Sequence, residues 1–286
     1  MSSSRRKVAG MNDLLKFWGQ PELKNPSLVV GWSVDAGKLG TKVTDYLNRK
    51  LGGQTFAEIE PVEFFPLGGA PIEDDLIQLP ESKFYSCPGK DLIVFISNQP
   101  RYEWYQFLSL VLDAAQHYCP LKEIYIIGGM ISPGAHSIPR ELRSIFSSPE
   151  MKEVMSDYNL DGEFDFETPP GQRPALNSFL LWMAKKRKIP AVSLWVPIPF
   201  YLIAADDPTA ERKVVELLNQ RLALGIDLSD LDEEIRRQNE LIAEMRNRLP
   251  DIDESISKLE GRVRLSEEES QNLVGEIEKL FRNRKG

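Results

Sequence analysis

Five short runs constrain this chain most: "SLVVGWS" (27 to 33), "TFAEIE" (55 to 60), "DLIVFIS" (91 to 97), "EIYIIGG" (123 to 129) and "AVSLWV" (191 to 196). Most are apolar at successive rather than alternate positions, so a strand made of them needs cover on both faces. Helical periodicity lies between them in "GKLGTKVTDYLNRKL" (37 to 51), "YEWYQFLSLVLDAAQHY" (102 to 118) and "ALNSFLLWMAKKRK" (175 to 188). Strands alternating with such helices predict an α/β sheet covered on both faces. Ligands in such sheets sit beyond the carboxyl ends of the strands. That rule selects Ser33, Asp35 and Gly37 after the first run, Asn98 and Gln99 after the third, and Gly128, Gly129 and Met130 after the fourth.

The turn in "VVGWSVDAGKLGTKV" does not fit a known phosphate loop. A Walker loop needs a second glycine five positions after the first, then Lys and Ser or Thr. Five after Gly31 stands Ala36, and Leu39 takes the place of the hydroxyl. A dinucleotide fingerprint would need glycine at position 35 to pair with Gly37 and Gly40, and Asp35 there would repel a pyrophosphate. What remains is a strand, a glycine turn and a helix N-terminus, which either holds an anion or packs helix on sheet.

From about residue 226 the composition turns charged and is punctuated by Leu and Ile. Leu228, Leu231, Ile235, Gln238, Ile242, Met245, Leu249, Ile252, Ile256, Leu259 and Val263 follow steps of three and four, and Leu273, Ile277 and Leu280 continue them. A sustained heptad predicts a coiled coil or helical hairpin whose seam needs a partner surface. Pro250 should break it, and Ser266 with Glu269 reads as a capping box opening a last helix. The chain therefore divides into a tail with a short helix (1–25), an α/β domain (26–225) and a helical arm (226–286). Leu231, Ile235, Ile242, Met245, Leu249, Ile256 and Leu259 are the arm's candidates for binding protein.

Charge and reactive side chains exclude several functions. With 43 acidic residues against 35 basic ones the net charge is -8, which disfavours a nucleic-acid backbone or an anionic membrane as partner. "IPAVSLWVPIPFYLIAA" is broken by Pro190, Pro197 and Pro199, so it reads as a buried strand and loop rather than a membrane span. "MSSSRRKVAG" has no apolar run behind its charges and is not a secretory signal. Cys87, placed in a loop, and Cys119, at a helix end, lack metal spacing and suit a reducing cytoplasm. His117 falls at a helix end. His136 has no Ser or Cys elbow beside it, so neither a triad nor a His-ligated metal is expected, and no cofactor is called for. "DGEFDFE" (161 to 167) reads as a solvated edge strand. "ETPPGQRPALNS" places Asn177 in the first turns of a helix, where its amide can serve a neighbouring loop.

The blocks "LVVGWSVDAGKLGTKVTDYL", "FAEIEPVEFF", "LIQLPESKFY", "DLIVFISNQPRYEWYQF", "KEIYIIGGM", "ALNSFLLWMAKKRKIPAVSLWVPIPFYL" and "LLNQRLALGIDLSDLDEEI" together, in this order, resemble the proteasome assembly chaperone 2 family. The resemblance implies a three-layer α/β/α sandwich, similar to that of nucleoside phosphorylases. It also implies a homo-oligomer, trimeric among actinobacterial members. The family's glycine-rich first turn falls on Gly31 to Gly40, with Ser33, Val34 and Asp35 as departures. Its Gly-Leu-Asn block appears as Ala175, Leu176 and Asn177, of which Asn177 keeps the polar role. Members that dock on the proteasome often end in a hydrophobic residue, Tyr and one further residue. This chain ends "FRNRKG", so docking by that route is not expected.

Two functions follow. The first is a non-enzymatic, homo-oligomeric assembly scaffold, trimer favoured, with a further protein partner held by the arm. The alternative is a small-molecule binder or enzyme using a phosphorylase-like crevice formed by Ser33, Asp35, Gly37, Gly40, Asn98, Gln99, Gly128, Gly129 and Asn177. The phosphate-binding donors that a phosphorylase gathers are not apparent near these turns, which favours the scaffold.

Overall fold

All five apolar runs are strands of one sheet. The structure, a computed structural model, describes residues 14–68, 72–73, 75–158, 160 and 174–282. The strands are β1 (Leu15–Phe17), β2 (Ser27–Trp32), β3 (Gln54–Ile59), β4 (Ile72–Glu73), β5 (Leu76–Ile77), β6 (Ser82–Cys87), β7 (Leu92–Ser97), β8 (Glu123–Ser132), β9 (Arg143–Phe146) and β10 (Ala191–Pro199). Eight of them form a sheet in the order β1-β3-β6-β7-β2-β8-β10-β9, and β4 with β5 makes a separate hairpin. The central strands β7, β2, β8 and β10 run parallel, while β6, β3 and β1 on one side and β9 on the other are antiparallel.

The two-residue alternation of a strand sorts the core into two clusters. Val29, Tyr125, Ile127 and Val192 point to one face, where helices α1 (Leu39–Leu51) and α5 (Pro208–Arg221) lie. Leu28, Val30, Ile124 and Ile126 point to the other, covered by α2 (Trp104–Ala115) and α4 (Leu176–Lys186). The short α3 (Pro149–Val154) follows β9. Helices therefore cover both sides of the sheet, as expected. Helix α5, which the periodicity did not single out, starts on Asp207, whose Oδ1 accepts from the Ala210 N–H at 3.1 Å, with Pro208 in the first turn.

Two expectations change. Within 14–25, where a tail and short helix were expected, Leu15–Phe17 instead extends the sheet against β3. Leu15 and Phe17 pack on the second cluster while Lys16 between them is exposed and pairs with Glu60, an alternation that suits an edge strand. Cys87 ends β6 and is buried rather than lying in a loop; burial pushes its thiol up to about 12. The acidic run 161–167 lies outside the described residues.

The arm is three helices, α6 (Ser229–Arg248), α7 (Pro250–Glu260) and α8 (Glu267–Arg282). The break falls at Pro250, with Leu249 extended at φ -124° and Pro250 opening α7. The capping box forms: the Ser266 N–H donates to Glu269 Oε2 at 2.7 Å and the Glu269 N–H to Ser266 Oγ at 3.2 Å. In place of a free coiled-coil seam, Leu231, Ile242, Met245, Ile256 and Leu259 join the same buried cluster as Val29 and Tyr125. Ile235 is half-buried and Leu249, at the break, is 36% exposed. Polar ties fix the arm: the Tyr46 hydroxyl donates to Asp230 at 2.7 Å, and Gln238 Nε2 donates to the Asp206 carbonyl at 2.5 Å. Among the described residues no helix is long and apolar enough to cross a membrane.

Candidate functional site

The residues selected from the strand ends fall in three places. At the end of β2 the chain turns through Asp35, Ala36, Gly37 and Lys38 into α1, with Gly37 and Lys38 both left-handed at φ 68° and 53°. Asp35 is the knot of this turn. Its Oδ2 accepts from the Gly40 N–H at 2.9 Å, at the start of α1, and from the Gly129 N–H of β8 at 2.8 Å. The protein's own carboxylate therefore takes the position at the helix N-terminus that a bound anion would occupy. The glycines serve close packing. A Cβ on Gly31 would lie 2.1 Å from the Gly40 carbonyl oxygen, and one on Gly40 would lie 3.0 Å from the Trp32 nitrogen.

Burial dominates the chemistry of Asp35. It raises the carboxyl from its ordinary 3.8 to about 6, against the opposing pull of the backbone hydrogen bonds from Gly40 and Gly129, and Oδ1 is buried without a partner. The folded protein thus keeps a proton between pH 3.8 and 6 that the unfolded chain has lost, so this residue's contribution to stability falls as pH rises through that window. Asp35→Asn should remove the dependence. Urea melts of parent and variant should diverge between about pH 4 and pH 7 by on the order of 3 kcal/mol, in the variant's favour at the higher pH. Parallel stability curves would rule this out.

The second place is a groove of about 450 Å³ beside the same strand end, lined by Ser33, Thr41, Lys83, Tyr85 and Asn98. Asn98 Nδ2 donates to Ser33 Oγ at 3.3 Å, and its Oδ1 accepts from the Glu81 N–H at 3.1 Å. Gln99 follows, half-buried. The third place is on the opposite face of the sheet. Asn177, 4% exposed in α4, donates to the Ile127 carbonyl at 3.3 Å, and its Nδ2 stands 2.8 Å from where a Cβ on Gly128 would be. Successive residues of β8 thus serve opposite faces, Gly128 toward Asn177 and Gly129 toward Ala36. Asp35 and Asn177 therefore reach β8 from opposite sides, and the Ile127 carbonyl that accepts from Asn177 lies 3.1 Å from where a Cβ on Gly40 would be.

Both histidines are held by aromatic neighbours. His117 stacks on Phe17 at 4.2 Å between ring centroids. His136 Nδ1 lies 2.8 Å from the Tyr201 hydroxyl, which also accepts from the His136 N–H at 2.6 Å. Burial, with the neighbouring Arg140 charge, lowers its imidazole to about 4, so it is neutral at physiological pH. Among the described residues, no group of three or more His, Cys, Asp or Glu could hold a metal ion. Sequence reasoning missed Arg140, which is buried with Asp207, and the arginines of a cavity beside it. They come from segments more than a hundred residues apart, and no local pattern links them.

Comparison with solved structures returns the same architecture at low identity. Pyrococcus furiosus PbaB, an archaeal proteasome activator, superposes with a TM-score of 0.63 at 19% identity, covering 81% of this chain and 98% of its own. A Mycobacterium tuberculosis protein of unknown function gives 0.73 at 18%, covering 87% and 90%. A PAC2 family protein from Streptomyces avermitilis gives 0.67 at 18%, covering 82% and 99%. Comparison with curated proteins finds no match. The PAC2 family model matches residues 28–246, from the first core strand well into the first helix of the arm. With that match across most of its length, the chain belongs to the PAC2 family.

Proposed function

We propose that this chain is a homo-oligomeric, protein-binding assembly scaffold. The observation that carries the reading is an exposed aromatic surface on α2, α4 and the loop before α2. Tyr102 is 48%, Tyr105 62% and Trp182 46% exposed. Phe179 joins Trp182 on α4 to Trp104, the neighbour of Tyr105 on α2, with its ring 5.6 Å from Trp182 and 6.5 Å from Trp104. Lys186 lies over the Trp182 ring at 5.6 Å. Tyr and Trp dominate binding energy at protein interfaces, because they bury large areas while few rotamers are lost. Solved relatives described as a proteasome activator and as a homologue of proteasome-assembly chaperones fit a protein-binding role. The occupant is a second copy of this chain, with a trimer as the expected assembly. The arm's seam takes no part, since it is already buried on its own body. Residues 283–286 lie outside the described residues, and docking through a C-terminal tail is not part of this reading.

Native mass spectrometry of the full-length protein tests it. A trimer should dominate for the parent, and Tyr105→Ala with Trp182→Ala should shift the population to monomer with the thermal transition kept. A monomeric parent would overturn the reading, and so would an assembly indifferent to both substitutions.

A further inference from the structure

Where β8 and β10 end, the connection between α7 and α8 walls off a cavity of about 830 Å³. That is an ordinary size for a small-molecule site. Its apolar lining includes Pro197, Pro199, Phe200, Leu259 and Leu265. Four arginines also line it. Arg140 is committed: it pairs with Asp207 at 3.1 Å and donates to the carbonyls of Ala135, His136 and Ile138. Arg143, Arg262 and Arg264 make no ion pair among the described residues, and the Nε of Arg143 is buried without a partner. One carboxylate, Glu141, lines the cavity with them.

Arg187, Arg212, Arg221, Arg236 and Arg246 each have a carboxylate partner. Arg49, Arg101 and Arg248 have none among the described residues but lie far apart in the sequence, whereas the three here line one cavity. Arg143 on β9 is half-buried, and Arg262 and Arg264 on the α7–α8 connection are exposed, so three arginines without an ion pair and one carboxylate border the cavity and leave its rim net positive. Guanidinium forks match carboxylate and phosphate oxygens. We propose that this cavity binds an amphipathic anion, a carboxylate or phosphate head on an apolar body. Arg143, Arg262 and Arg264 hold the head, and the prolines, Phe200 and Leu265 surround the body. Because one wall belongs to the arm and the other to the strand ends, the ligand ties the arm to the domain.

Arg262 supplies a test that spares the fold. It sits left-handed at φ 58° just past α7, where the Val263 N–H donates to the Lys258 carbonyl at 2.8 Å and the Arg262 N–H to Leu259 at 3.0 Å. Glycine is the preferred residue at that position of such a helix end. Arg262→Gly therefore removes a guanidinium while the thermal transition holds or rises. Octanoate and octyl phosphate, titrated into the full chain by calorimetry with octanol as neutral control, report the site. Each anion should bind saturably at one per chain, about tenfold or more tighter than octanol. Arg262→Gly and Arg264→Ala should each weaken the anions several-fold and leave octanol unchanged, and the better anion identifies the head group. Absence of saturable anion binding would overturn the proposal. So would octanol binding as tightly as the anions, or affinities unmoved by both substitutions.

Discussion

Replacing Gly129 by alanine is expected to unfold the protein, or to destabilise it by more than about 4 kcal/mol. The added Cβ would lie 2.1 Å from the Ala36 carbonyl oxygen and 3.2 Å from Ile198 Cγ1. The oxygen belongs to backbone and cannot swing aside as a side-chain end can. Its turn is fixed on one side by the left-handed Gly37 and on the other by the bond from the Gly129 N–H to Asp35. Any retreat of Ala36 therefore stretches the hydrogen bond that joins the turn to β8. Gly275→Ala is the matched control. Nothing lies within 4 Å of its Cβ position, and alanine inside α8 should raise stability by about 0.5–1 kcal/mol. Urea denaturation of the two variants checks the contrast. A Gly129→Ala protein as stable as its parent would show that the turn yields, and that the close approach does not constrain the fold.

Asp207→Ala should cost about 3–5 kcal/mol. The carboxylate does two jobs: Oδ1 caps α5 through the Ala210 N–H, and Oδ2 accepts from Arg140 Nε at 3.3 Å and from its Nη2 at 3.1 Å. The paired side chains are 2% and 4% exposed, so the substitution leaves a buried guanidinium with only carbonyl partners. Asp207→Asn with Arg140→Leu keeps the cap and removes the stranded charge. It should recover most of the loss, because breaking a buried pair is worse than deleting it. Thermal melts of the single and double variants decide the matter. A double variant no more stable than Asp207→Ala would assign the loss to packing around the pair rather than to the unpaired arginine or the cap.

What could be read without the structure was local. Continuous apolar runs required strands covered on both faces, and the described core alternates between two helical layers accordingly. Pro250 had to interrupt a helix because it lacks the N–H, and Ser266 with Glu269 had to cap one because their spacing matches a helix start. Asp35 excluded a dinucleotide loop by standing where a glycine is needed and by its charge. That the same carboxylate would take the anion's position on Gly40 and Gly129 could not be read, because Gly129 is 94 residues away and is brought there by the parallel pairing of β2 with β8. The heptad in 228–263 announced a seam but not its cover, since an apolar stripe is satisfied equally by a second helix or by the chain's own domain, and tertiary packing chose the domain. The unpaired arginines of the cavity are the extreme case: Arg143 and Arg264 lie in segments of ordinary composition, and only the fold sets them around one space. Periodicity and capping depend on residues within a turn or two and are written in the sequence. Which surfaces meet depends on contacts between distant segments, and those the tertiary structure alone decides.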